Sequence, residues 1–334
     1  MFEIDFKFCE PFRLESGADL LSLDLRCSIY GQLNHEKSNA VLVFHALTGS
    51  SRITEWWSEM LGVGKALDTE KFAFVCVNAL GSCYGSTDAK NIKSVVTTRD
   101  IVRSQEMLLE YLGIKKFQAV CGGSLGGMLA LQFAADFPDK TEKCVAIGAA
   151  PLSAMGLALN HLQRAAIKHE NGVGLARQIA MISYKSKDIF DANFARQPNR
   201  NGENPFAKLE DRFDIAGYLD YQGEKFVERF GVESYNVLSK AMDLFDLTDA
   251  EIQKITAKIS LVGISSDWLF PATDVRDLAE RMKSQGVNTD YIEMNSTDGH
   301  DAFLSDTAQM SKILREIFAT NRHEQARKVS NYFS

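Results

Sequence analysis

Cys121-Gly122-Gly123-Ser124-Leu125-Gly126-Gly127 is the stretch whose reading decides the fold. It contains G-x-S-x-G, directly after the apolar run 117–121 and directly before the helical pattern 125–136. That context suits a serine at the apex of a sharp strand-to-helix turn. Side chains at positions 122 and 126 would collide with neighbouring backbone, which is why both are glycine, and Ser124 is expected in a strained conformation. Its Oγ then sits at the positive end of the following helix, with the Leu125 amide placed to donate to an oxyanion. The same five letters without the flanking strand and helix would be an incidental serine in a glycine-rich turn.

Further β-rich runs lie at 23–29, 40–45, 72–78 and 144–148, with two more at 259–264 and 291–294. Helical periodicity separates them at 98–112, 125–136 and 274–284, and a last helix is expected over 301–319. Alternating elements with nearly continuous apolar strands predict an α/β class fold, a mostly parallel sheet covered on both faces. The alternation stops between 153 and 257, where the pattern predicts helices at 155–169, 174–183, 215–230 and 234–245 around a Pro/Gly/Asn-rich loop at 197–205. The expected organisation is a core formed by 1–152 and 258–320, a helical cap inserted over 153–257, and a polar tail at 321–334.

A serine hydroxyl is a weak nucleophile near neutrality and needs a base. Of the six histidines, His300 is in Asn295-Ser296-Thr297-Asp298-Gly299-His300-Asp301, after the last strand and before the last helix. Asp267, in Ser265-Ser266-Asp267-Trp268, follows the preceding strand and is suited to orient the imidazole and stabilise it as imidazolium. The order Ser124…Asp267…His300 is that of α/β-hydrolases and not of other serine enzymes. A second oxyanion donor is expected from His45-Ala46-Leu47-Thr48-Gly49, after the run 41–44, with the Leu47 amide as the candidate. His45 itself is expected to be structural.

Composition excludes several classes. The net charge of −7 on 334 residues argues against a nucleic-acid binder. The start Met1-Phe2-Glu3-Ile4-Asp5-Phe6 has no signal-peptide pattern, and no apolar run is long enough for a bilayer. Six scattered cysteines without CxxC pairs suggest a reducing cytoplasm, and no cluster has metal-ligand spacing.

Several blocks resemble the homoserine O-acetyltransferase family of methionine biosynthesis. They are His45-Ala46-Leu47-Thr48-Gly49, Gly64-Lys65-Ala66-Leu67-Asp68-Thr69, Cys83-Tyr84-Gly85-Ser86-Thr87, Thr98-Arg99-Asp100 and the serine turn itself. Tyr221-Gln222-Gly223-Glu224-Lys225-Phe226, Ser265-Ser266-Asp267-Trp268-Leu269-Phe270-Pro271 and Gly299-His300-Asp301-Ala302-Phe303-Leu304 complete the set. The resemblance implies an α/β-hydrolase fold and ping-pong transfer of an acyl group from acyl-CoA, as co-substrate, to an amino-acid hydroxyl through Ser124. It also implies that Arg196, in Asn193-Phe194-Ala195-Arg196, and Asp301 hold the acceptor's carboxylate and ammonium. Asn160, Arg164, Tyr184 and Tyr221 are candidate pocket residues, and a homodimer through the helical cap is expected. The chain departs from the family in the short segment 88–97, which leaves acetyl or succinyl donor, and homoserine or serine acceptor, open.

Two other readings use the same residues differently. A serine esterase or thioesterase would pass the acyl group to water, and would be insensitive to loss of the acceptor-binding arginine. A non-catalytic binding protein of this fold would fail to react with a fluorophosphonate at Ser124.

Overall fold

The structure is a computed structural model that describes residues 1–319; the expected polar tail lies outside the described residues. Eight strands form one sheet: β1 (Phe2–Phe8), β2 (Leu23–Tyr30), β3 (Ala40–Phe44), β4 (Ala73–Val77), β5 (Ala119–Gly123), β6 (Lys143–Ile147), β7 (Lys258–Ile264) and β8 (Thr289–Met294). Their spatial order is β1-β2-β4-β3-β5-β6-β7-β8. Strands β3 to β8 pair in parallel, while β2 pairs antiparallel with both β1 and β4.

The central strands are apolar throughout because both faces are covered. Leu42, Phe44, Val75, Val120, Ala146 and Leu261 face one core, and their neighbours Val41, Val43, Phe74, Cys121, Val145 and Val262 face another. On the first face pack α1 (Thr98–Tyr111) and α2 (Leu125–Asp136). Thr97 and Asp100 close a reciprocal capping box that fixes where α1 begins. Helix α2 is buried along almost its entire length, so it shows little amphipathic pattern.

Between β6 and β7 lie α3 (Ala154–Ala166), α4 (Gly172–Tyr184), α5 (Lys187–Asn193), α6 (Asp214–Val227), α7 (Val232–Asp243) and the single turn α8 (Asp249–Ile252). After β7 comes α9 (Ala272–Ser284), packed on the first core. The helix expected as one piece over 301–319 is broken. A 3-10 turn at Gly299–Asp301 leads into α10 (Ala302–Ser305), and the chain leaves helical geometry at Asp306 before α11 (Thr307–Ala319) covers the second core.

Candidate active site

The turn after β5 has the geometry its glycines imply. Ser124 sits at φ 58° and ψ −128°, a region that non-glycine residues avoid at a cost of about 1–3 kcal/mol. A Cβ at Gly122 would lie 2.5 Å from the Gly126 carbonyl carbon, and one at Gly126 would overlap the Phe44 carbonyl. The bend is therefore wedged between β3 and its own helix. The Ser124 amide donates to the Ile147 carbonyl at 2.8 Å, tying the apex to the end of β6. Leu125, as the first residue of α2, contributes an amide with no carbonyl a turn behind it.

Asp267 follows β7 and His300 follows β8, so both arrive at the C-terminal edge of the sheet beside Ser124. His300 Nδ1 donates to Asp267 Oδ2 at 2.6 Å, and both side chains are buried. The other carboxylate oxygen, Oδ1, accepts from the Leu269 and Phe270 amides at 2.9 Å each, which locks the carboxylate plane. Burial opposes protonation of the imidazole, but the adjacent Asp267 carboxylate outweighs it and Asp301 adds to it, so the His300 pKa lies above its ordinary value. Phe270, Phe303 and Tyr184 surround the ring. Room for the pair depends on Gly148, at φ +52°, where a Cβ would stand 3.3 Å from the imidazole Cε1 and 3.4 Å from Asp267 Oδ2. The remaining ring nitrogen, Nε2, is buried with no hydrogen-bond partner among the described residues.

Ser124 and His300 share the wall of a cavity of about 410 Å³ with Leu47, Tyr84, Arg177, Tyr184, Arg229, Asp301 and Phe303. The loop after β3 supplies Ala46 to Ser50 to the same wall. Arg177 and Tyr184 come from α4 and Arg229 from the turn after α6, so the helical insertion roofs the site. Hydrogen bonds staple the roof to the core. Arg229 donates to the Thr48 carbonyl at 2.9 Å and the Tyr84 hydroxyl at 3.1 Å, while the Trp268 indole donates to the Lys185 carbonyl at 3.2 Å.

The pocket brings together Ser124, His300, Leu47 and Asp301, with Asp267 behind His300; Asp301 is ion-paired to Lys185 at 3.1 Å. Arg196 is not brought there. It is exposed past the end of α5, with its guanidinium over the Phe213 ring at 5.0 Å. Nor are Arg164 and Asn160, which hydrogen-bond to Asp243 and hold α3 to α7. Tyr221 is 55% exposed on α6, away from the cavity.

Sequence reasoning missed two cavity-lining cations, Arg229, which is bonded to Thr48 and Tyr84, and Arg177. Arg177 is half-buried, its guanidinium lies 5.1 Å from the Phe226 ring and 5.5 Å from the Tyr184 ring, and its Nε is sealed without a hydrogen-bond partner among the described residues. A signal was available. Val173, Ala176, Ala180 and Met181 form the buried stripe of α4, and Arg177 falls on it. A charge on an apolar stripe asks for a reason.

The sequence matches the alpha/beta hydrolase fold family over residues 39–306. A homoserine O-acetyltransferase of Symbiobacterium thermophilum is 36% identical, with 92% of this chain and 91% of that protein covered. The chain belongs to the homoserine O-acetyltransferase family. A homoserine O-succinyltransferase of Alkalilimnicola ehrlichii is also 36% identical, over 93% of this chain and 95% of its own length. Among solved structures, the homoserine O-acetyltransferase of Bacillus anthracis superposes with TM-score 0.86 over 95% of this chain and 98% of that one, at 21% identity. Esterase E22 gives 0.85 over 95% of this chain and 99% of its own, also at 21%, so likeness of fold alone does not separate transfer from hydrolysis.

Proposed function

We propose that this protein transfers an acyl group, acetyl in the first instance, from acyl-CoA to the side-chain hydroxyl of L-homoserine, a step of methionine biosynthesis. His300 takes the Ser124 proton as the Oγ attacks the thioester carbonyl. The tetrahedral oxyanion is held by the Leu47 and Leu125 amides. Collapse breaks the carbon–sulfur bond, and the proton passes from His300 to the departing thiolate. In the second half His300 removes the acceptor hydroxyl proton, the acceptor oxygen attacks the acyl-Ser124 carbonyl, and Ser124 leaves with the proton returned. Asp267 keeps the imidazole in the required tautomer and stabilises its charged form.

The single observation that carries this reading is the pairing of the buried His300–Asp267 bond with a roofed pocket that presents both a cation and an anion. A zwitterionic acceptor needs such a pair. Asp301 suits the ammonium, and Arg177, rather than Arg196, suits the carboxylate, because its guanidinium lines the cavity beside the Phe226 and Tyr184 rings. A donor-by-acceptor matrix tests the proposal: acetyl-CoA and succinyl-CoA against homoserine and serine, reading free thiol. Homoserine-dependent thiol release is the expected result; thiol release that ignores every acceptor would favour the esterase reading.

Among the described residues no helix is long and apolar enough to cross a membrane, and all six cysteines are free thiols. Both features support a cytoplasmic setting. Pairing of two copies through the helical insertion is part of the same proposal, supported by exposed Met155, Leu157 and Leu162 on α3, and light scattering of the purified chain tests it.

A further inference from the structure

His45 directly follows β3, two residues before Leu47, and it is buried to 1% exposure. Its two ring nitrogens have different partners. Nδ1 lies 2.8 Å from the Ala46 carbonyl, which can only accept, and Nε2 lies 2.9 Å from the Ala79 amide, which can only donate. The two bonds together fix the neutral tautomer with its proton on Nδ1. Burial without a counter-charge pushes the His45 pKa down to about 4, so the ring keeps this form through the neutral range.

The Ala46 carbonyl also accepts from the Gly49 amide at 2.9 Å. Two donors therefore hold the oxygen of the peptide between Ala46 and Leu47. In a trans peptide the carbonyl and the following N–H point to opposite sides of the chain. With the oxygen drawn toward His45 and Gly49, the Leu47 N–H is turned the other way, and Leu47 lines the cavity with Ser124. The Leu47 amide makes no backbone hydrogen bond among the described residues, so the donor is left for a ligand.

We propose that His45 is a positioning residue, whose Nδ1–H fixes the peptide plane that aims the Leu47 amide at the oxyanion of the Ser124 adduct. The inference rests on the acyl-Ser124 part of the function proposed above, and not on which acceptor follows. Its test separates the two ring nitrogens. Asparagine places a donor near Nδ1 and lacks the reach to Ala79, whereas glutamine supplies an acceptor near Nε2 and lacks the donor to Ala46.

The burst of p-nitrophenolate from p-nitrophenyl acetate reads acylation of Ser124 without CoA or an amino acid. Loss of one oxyanion donor typically slows such a step by about 10²–10³-fold. His45→Gln is expected to slow the burst by about 100-fold at unchanged KM, while His45→Asn keeps the rate within about 10-fold. A glutamine variant that keeps the rate while asparagine loses it, or two variants that lose it equally, would overturn the proposal. The wild-type chain provides a measurement independent of how the variants fold. Imidazole ¹⁵N shifts should report the neutral Nδ1–H form of His45 at pH 7, and a boronate adduct of Ser124 should shift the Leu47 amide proton downfield. An Nε2–H tautomer, or an unmoved Leu47 proton, would refute it. A wild-type chain that gives no burst at all would instead remove the Ser124 reading.

Discussion

Replacing Arg177 by methionine removes a charge from the pocket while keeping an unbranched apolar stem against Phe226 and Tyr184. The guanidinium sits 5.1 and 5.5 Å from those two rings. Losing the cation–π contacts costs about 0.5–1 kcal/mol each at a site with partial solvent access. Against this, the variant no longer desolvates an Nε that has no partner, a cost of about 1–3 kcal/mol. The two effects oppose each other, so the folded state is expected to change little. Acceptor binding has no such compensation. A hydrogen bond from a charged donor to a carboxylate contributes about 1.5–3 kcal/mol, which converts to about a 10- to 150-fold rise in the KM for homoserine.

Arg196→Ala provides the contrast. That guanidinium is exposed and stacks on Phe213 at 5.0 Å, outside the cavity, so its loss is expected to raise KM by less than about threefold. The assay is thiol release from acetyl-CoA at varied homoserine for both variants, with p-nitrophenyl acetate acylation as the measure of an intact serine site. If Arg196→Ala raises KM more than Arg177→Met, the pocket assignment is wrong. If Arg177→Met slows ester acylation as much as transfer, the arginine is structural and the carboxylate is held elsewhere.

The remaining predictions concern the serine site and its supports. Ser124→Ala should abolish both transfer and fluorophosphonate labelling while the thermal midpoint holds; labelling that persists would place the nucleophile on another residue. Asp267→Asn leaves the Leu269 and Phe270 amides a partner but presents the wrong group to His300 Nδ1, and kcat should fall by about 10³–10⁴-fold; a drop under tenfold would deny Asp267 its role. Because the His300 pKa is raised in the fold, the acid limb of kcat/KM for acylation should have its midpoint above 6.5 and move down in Asp267→Asn; a midpoint below 6.5 in the wild type contradicts the carboxylate's influence. Gly148→Ala forces a positive φ on alanine, costing about 1–2 kcal/mol, and crowds the imidazole, so urea midpoint and kcat should fall together. His45 is depressed to about 4, so its stability contribution is complete above 6.5. It declines toward pH 4 by about 1.4 kcal/mol per pH unit as the unfolded chain takes up the proton first; urea melts at pH 7 and 5.5 should show this slope in the wild type and not in His45→Asn.

The serine turn was legible because its geometry is dictated by steric exclusion at two glycines, a constraint written in residue identity. The pairing of Asp267 with His300 was legible because each follows a strand in a fixed chain order. Strand β1 was not recognised, although Phe2-Glu3-Ile4-Asp5-Phe6-Lys7-Phe8 alternates with period two. At the sheet edge its burial is only partial, so the apolar positions form a weak run instead of a continuous one. Helix α5 escaped notice because none of its seven residues is buried, and periodicity needs a buried face to leave a trace. Arg196 was expected at the pocket from a short pattern alone, and a pattern carries no direction: where a loop arginine points depends on how the insertion packs. Arg177 was hidden for the opposite reason, its helix reading as ordinary core.

Transfer and hydrolysis differ in what meets the proposed acyl-enzyme, and on the reading given above the roof offers the acceptor its cation. A serine nucleophile with the His300–Asp267 pair would serve water as well as an amino acid. Asp301 already has a partner, Lys185 at 3.1 Å, while the Arg177 guanidinium lines the cavity without an ion-pair partner among the described residues. An acceptor carboxylate would meet at Arg177 a cation with no carboxylate partner among the described residues, whereas its ammonium must share Asp301 with Lys185. On these grounds the carboxylate contributes more of the acceptor's affinity than the amine. Homoserine lacking its amino group should thus remain a poor but measurable acceptor, and the analogue lacking its carboxylate should not. Thiol release from acetyl-CoA with 4-hydroxybutyrate and with 3-amino-1-propanol distinguishes the two. If the amino alcohol proved the better acceptor, Asp301 and not Arg177 would be the anchor, and the family's acceptor would be gripped from the core rather than from the helices above it.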